Sequence, residues 1–303
     1  MNTEPGAPPD CGAIHATALR AWPLPMPGTD GDKEMRGHLL IVGGSREMPG
    51  ALILAATAAL RAGAGKLSLA TAASVAPLVA LALPEARVIG LEETAQGGLL
   101  AASAPALLAL AGQVDAVLIG PGMQDEAACR ALVRALLARF GASRIVLDAA
   151  AMNVACVSSA PEFCFSSPVL LTPHAGEMAH LCGQSKEAIQ ADPQAAALAA
   201  ARRWQAIVAL KGAATVIAMP DGRCWHHQGG NIGLAISGSG DTLAGLITGL
   251  AARGASLEQA CAWGVALHAM AGDQLALRFG ILGYLAREIP AEIPALLRTL
   301  GPG

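Results

Sequence analysis

Charge is scarce in this chain of 303 residues: Asp, Glu, Lys and Arg make up 14% of it, and the formal net charge is −3. No Lys/Arg cluster stands out, which argues against nucleic acid as a partner, because such surfaces concentrate positive charge. Long apolar runs are missing too, in spite of a mean hydropathy of +0.48. The Ala-rich stretches are interrupted by Arg61, Pro105, Asp115 and Arg253 before reaching the ~18 uninterrupted residues of a membrane helix. The seven cysteines are scattered without a Cys-x-x-Cys pair, which speaks against a disulfide framework or a zinc knot. A reducing, cytoplasmic setting is the expectation. The opening MNTEPGAPPD has neither the basic nor the apolar region of a signal peptide, and reads as the start of a partly disordered tail over 1–35.

Several familiar sites are absent as well. No Gly-x-Ser-x-Gly elbow supports a serine hydrolase. GAGK (63–66) is not a Walker A loop, since Leu67 stands where Ser/Thr should follow and Leu60 where the first glycine belongs. His174, Glu177 and His180 are spaced in threes, which on a helix fans the outer pair about 120° apart, a poor face for zinc. No metal ligands are assigned. His180 reads as a helix-surface residue, and His226–His227 as an exposed turn or strand end.

What is present is alternation. Short apolar runs at 38–44, 66–71, 86–90, 115–120, 143–148 and 169–172 read as strands, with helical patterns between several of them. The runs 206–212 and 215–219 lie close enough for an antiparallel pair at the sheet's edge. Helical patterns occupy 50–65, 241–253, 257–278 and 284–299. This pattern predicts an α/β fold: one domain over 36–300, with a mainly parallel central sheet flanked by helices on both faces.

In such a sheet, ligands collect outside the carboxyl ends of the strands. Six polar clusters fall there: GGSREMPGA (43–51), GPG (120–122), LD (147–148), TPHAGE (172–177), KG (211–212) and GSGD (238–241). The last is the most informative. Amides of a glycine-rich turn at a helix start bind phosphate oxygens, and a carboxylate beside them can take a proton from an attacking hydroxyl. Asp241 could also simply cap the helix. Lys211 is notable because the chain has only four lysines, and a compact cation after a buried strand suits phosphate.

Taken in order, GHLLIVGGS…GA, GAGKLSLAT, GPG, LDAAAMN, LTPHAGE, LKGAAT and GNIGLAISGSGDTLAGLITGL resemble the ADP/ATP-dependent NAD(P)H-hydrate dehydratases of the ribokinase-like superfamily, from about residue 36 to 298. The resemblance implies an ADP-dependent (S)-NAD(P)H-hydrate dehydratase, a lyase that repairs hydrated NADH or NADPH at the expense of ADP or ATP with Mg2+. It implies Asp241 as the catalytic base and Gly238, Ser239 and Gly240 as an anion hole. Lys211, Gly212, Ala213, Ala214 and Thr215, with Gly240, match the adenine-nucleotide stretch. Ala51, Gly122 and His174, with Asp241, match positions that hold the damaged dinucleotide. Asp148, Asn153, Glu177 and Asn231 would support them. A homo-oligomer, a tetramer by resemblance, is expected.

The chain departs from the family's pattern in places. Ser239 stands where Thr is common, Ala150 where a second acid is usual, and Met48–Pro49 where an aromatic–small pair is common. Two other readings share the Gly–Asp loop: a kinase of a vitamin-precursor alcohol, such as a thiazole or pyrimidine, and a non-catalytic nucleotide-binding relative.

Overall fold

Runs such as HLLIV, AVLI and RIVL carry apolar side chains toward both faces, which suits strands covered from either side. In the computed structural model, which describes residues 12–28, 33–156 and 162–301, they form one sheet. Its strands in chain order are β1 (Gly12–Ala13), β2 (His38–Val42), β3 (Lys66–Ala72), β4 (Ala86–Leu91), β5 (Ala116–Ile119), β6 (Arg144–Leu147), β7 (Val169–Leu171), β8 (Ile207–Leu210), β9 (Ala214–Ala218) and β10 (Cys224–Gln228). Across the sheet the order is β1-β10-β9-β8-β7-β6-β5-β2-β3-β4. β9 is antiparallel to both neighbours, and every other pairing is parallel. Along β2 the alternation sends Leu39 and Ile41 into one buried core, and Leu40 and Val42 into the other.

The chain leaves β2 for β3 and β4 on one side, then returns to β5 on the other, so the strand order reverses between β2 and β5. Such a reversal opens a crevice at the carboxyl ends. Two glycine loops interlock there. The Gly44 amide donates to the Pro121 carbonyl at 2.6 Å, and the Gly120 amide to the Val42 carbonyl at 3.0 Å.

Two helices set the geometry of that edge: Pro49–Arg61, which follows β2, and Ser239–Ala252, which follows β10. They touch through small residues. A Cβ on Gly245 would stand 2.0 Å from the Ala55 carbonyl oxygen, and one on Gly249 would stand 2.7 Å from Ala59 Cα. Backbone lies against backbone, which fixes the start of each helix relative to the other.

The structure departs from two expectations. β8 and β9 are antiparallel as expected, but they are not the edge, because β10 and β1 extend the sheet beyond them. Of the exposed turn or strand end expected for His226 and His227, the structure shows strand: both lie in β10, but the His227 ring is buried with Nδ1 3.0 Å from the Ile14 carbonyl. Of the segment expected as a partly disordered tail, residues 12–28 pack on the sheet. Ile14, Leu19, Trp22 and Leu24 enter the core, and the Trp22 carbonyl accepts from Trp263 Nε1 at 2.9 Å. Residues 1–11 and 29–32 lie outside the described residues.

Candidate active site

Strand ends bring the polar clusters together around Lys211. The Lys211 amide donates to the Pro173 carbonyl at 2.8 Å, which ties the end of β8 to the loop after β7. Its ammonium group stands 3.3 Å from Asp148 Oδ1 and 3.8 Å from Glu177 Oε2. Asp148, just after β6, also accepts from Thr172 Oγ1 at 2.6 Å. Burial alone would pull the Lys211 pKa down, but the carboxylates of Asp148, Glu177 and Asp241 outweigh it and raise the pKa. Lys211 is therefore held charged.

His174 begins the helix Ala175–Cys182, where its Nδ1 accepts from the amides of Gly176 (3.0 Å) and Glu177 (3.2 Å). Glu177 Oε2 returns the favour by accepting from the His174 amide at 2.8 Å, a capping box that uses histidine. With Nδ1 accepting, the ring's proton stands on Nε2, so an exposed His174 offers a donor to the pocket.

At the helix Ser239–Ala252, Gly238 is the cap residue with φ +90°, a conformation that suits glycine. Gly238 has no side chain to cap this helix, and the Asp241 carboxyl accepts from its own backbone amide. Among the described residues no backbone acceptor meets the Gly240 amide, which leaves it as an anion donor. Burial, then the negative charges of Asp148 and Glu177, push the Asp241 carboxyl up to about 6, with Lys211 opposing them. A carboxylate poised there suits a general base.

A cavity of about 680 Å3 opens beside this cluster, a size suited to a nucleotide. Lys211, Gly212, Ala213, Thr215 and Gly240 line it, as do His174 and Asn231; apolar wall comes from Leu234, Leu243 and Val265. Ala214 lies on the same strand, β9, without lining it. Ala51 and Gly122 sit elsewhere, at the reversal between β2 and β5. Gly122 has φ +66°, and a Cβ on it would stand 2.8 Å from Ala51 Cβ. The two places are linked: a Cβ on Gly238 would meet Leu54 Cδ1 of the helix Pro49–Arg61 at 2.4 Å. The candidate residues thus divide into a cavity toward β9–β10 and a crevice at the sheet's switch point, with the two packed helices joining them.

Asn153 and Ala150 lie in the short helix Ala149–Ala155 that follows Asp148, and Ala149 takes φ +47°, a strained conformation for a residue with a side chain. Tyr284, Asp273 and His268 join the expected residues without having been expected from the sequence. Asn231 Oδ1 accepts from Tyr284 Oη at 2.8 Å, and Asn231 Nδ2 donates to Asp273 Oδ1 at 3.2 Å. Buried His268 stands 3.1 Å from Ser239 Oγ. Asp273 and His268 both lie on the helix Leu257–Phe279, whose mostly buried course hides which polar residues face the cavity. The five-residue spacing within HAMAGD was the only available signal.

A family model described as NAD(P)H-hydrate dehydratase matches residues 39–295. A protein of Xanthomonas campestris pv. campestris named ADP-dependent (S)-NAD(P)H-hydrate dehydratase is 53% identical over 290 residues, covering 96% of this chain and 97% of that one. Among solved structures, the ADP/ATP-dependent NAD(P)H-hydrate dehydratase of Bacillus subtilis, co-crystallised with ATP/Mg2+, superposes with a TM-score of 0.82 at 29% identity, covering 96% and 99% of the two chains. A ribokinase-like superfamily protein of Enterococcus faecalis gives 0.82 at 26% identity, covering 96% of each chain. Motifs in family order, a shared sheet with its switch-point crevice, and likeness over nearly the whole chain make this protein a member of the NAD(P)H-hydrate dehydratase family, with a ribokinase-like fold.

Proposed function

We propose that the protein is an ADP-dependent (S)-NAD(P)H-hydrate dehydratase that restores NADH and NADPH from their hydrated forms. Hydroxide is a poor leaving group and phosphate a good one, so phosphorylation precedes loss of the ring oxygen. Asp241 takes the proton from the ring hydroxyl, whose oxygen then attacks the terminal phosphorus of the nucleotide. The shortened nucleotide departs; loss of phosphate and of a ring proton then re-forms the double bond. The open Gly240 amide next to Asp241, with Lys211 Nζ 3.4 Å from where a Cβ on Gly240 would stand, is the observation that carries this reading.

The nucleotide occupies the cavity lined by Lys211, Gly212, Ala213, Thr215 and Gly240, next to Ala214 at the start of β9. Gly238, Ser239 and Gly240 supply the anion hole. The hydrated dinucleotide reaches along the crevice past Ala51 and Gly122 to Asp241, with the Nε2–H of His174 as a donor. Asp148, Glu177, Asn153 and Asn231 position these groups. Among the described residues no cluster of three or more His, Cys, Asp or Glu side chains is arranged for a metal ion. Mg2+ would therefore be carried mainly on the nucleotide phosphates, with the second oxygen of Asp148 as the carboxylate of this cluster that could touch it. The ion would neutralise phosphate charge there. No helix among the described residues is long and apolar enough to cross a membrane. The reading includes a cytoplasmic homo-oligomer, a tetramer, supported by the exposed apolar residues Leu277, Phe279, Ile281 and Leu282.

The test is direct. Purified protein is given hydrated NADH or NADPH with ADP or ATP, and the near-ultraviolet absorbance of the reduced nicotinamide is followed. Absorbance returns with nucleotide and not without it. No return with either nucleotide, in folded protein, removes the proposal.

A further inference from the structure

His268 lies under the anion loop without a role in the chemistry above. Its ring is buried, and its Nε2 is 3.1 Å from the Ser239 hydroxyl oxygen and 3.1 Å from the Ser239 carbonyl oxygen. A carbonyl oxygen only accepts. The ring therefore carries its proton on Nε2, and that proton is shared between the carbonyl and the hydroxyl oxygen. A hydroxyl that accepts from the ring keeps its own hydrogen for another partner. Ser239 and His268 line the same cavity as Lys211 and Gly240, so that partner is whatever anion enters there. Serine also lacks the β-branch that stiffens χ1 in threonine, so something else must hold its hydroxyl in one direction. Burial, aided by the charge of Lys211, keeps the ring pKa down at about 4, so the imidazole stays neutral through the working range.

We propose that His268 is a positioning residue: its Nε2–H holds the Ser239 oxygen as an acceptor and frees the hydroxyl hydrogen to donate to a phosphoryl oxygen of the bound nucleotide. The anion hole then has a side-chain donor beside its backbone amides, and this serine does the work of a threonine because a histidine orients it. The inference rests on the phosphoryl-transfer reading above.

A double-mutant cycle tests it: wild type, Ser239→Ala, His268→Leu and the double variant, read as kcat, nucleotide KM and melting temperature. Losing one anion-hole donor lowers kcat on the order of 10²-fold. Ser239→Ala is expected to show that loss with nucleotide KM little changed. His268→Leu should lower kcat comparably, but by no more than a small factor when Ser239 is already alanine. His268→Gln, which retains an N–H, should recover most of the rate. Independent, multiplying losses in folded variants overturn the proposal, as does His268→Leu at full kcat. If the leucine variant does not fold, Ser239→Ala decides alone, and full kcat in that variant overturns the proposal. Absence of wild-type turnover would instead remove the phosphoryl-transfer reading, so the two failures are separable.

Discussion

The ends of β6 and β7 and the start of the helix Ser239–Ala252 each bring a carboxylate to Lys211, and they treat it in opposite ways. At the first, Asp148 is buried with Thr172 and Lys211 both donating to Oδ1. At the second, Asp241 accepts from its own backbone amide, yet burial and its acidic neighbours raise it to about 6. One acid is spent on architecture; the other is kept available for a proton. Local hydrogen bonding, rather than residue type, separates the two roles.

Exchanging Asp241 for Asn gives the largest expected effect. Turnover should fall by on the order of 10³-fold or more, because a general base contributes 10²–10⁴, while nucleotide binding measured by calorimetry is retained. The same variant should be more stable above pH 6. An acid raised in the folded state binds its proton more tightly there than when unfolded. Stability it contributes is therefore full below the unfolded pKa of 3.8 and lost as pH rises through about 6. The stability gain of Asp241→Asn at pH 8, on the order of 2 kcal/mol, should vanish below pH 4. A variant that melts lower than wild type at pH 8 contradicts the comparison.

Lys211→Met attacks the other acid. It strands Asp148 without its buried partner, which costs on the order of 3 kcal/mol, and nucleotide KM should rise at least 10-fold. Chemical denaturation and steady-state kinetics read the two effects separately. If stability is unchanged, Asp148 does not depend on Lys211. The smallest effect comes from Gly245→Ala, far from the chemistry. Its methyl group meets the Ala55 backbone, so the packed helices must part, at about 1–3 kcal/mol, with both substrate KM values rising together.

Strands β2 to β9 were legible as short apolar runs, and five of the six polar clusters followed from them; the sixth, GSGD, announced itself by its glycines. β10, CWHHQ, was not legible, since two histidines mask its strand character until β1 pairs beside it. Its partner comes from a proline-flanked segment that looks like a tail. Asp241 could be found from its glycines. Thr172 lay within a motif, yet nothing local says that its hydroxyl meets Asp148. His268, Asp273 and Tyr284 act through contacts with Ser239 and Asn231 that span many residues of chain, which a linear pattern does not record. Ala150 packs against the apolar core, and nothing among the described residues explains its departure from the expected acid.

The pH dependence of kcat/KM tests the separation of the two carboxylates most directly. The kcat/KM of the wild type should climb with pH through a midpoint at about 6, the position of the Asp241 carboxyl in the free enzyme, and this limb should be missing from the residual rate of Asp241→Asn. A wild-type profile flat from about pH 5 to 8, or one whose acid limb survives in Asp241→Asn, contradicts it.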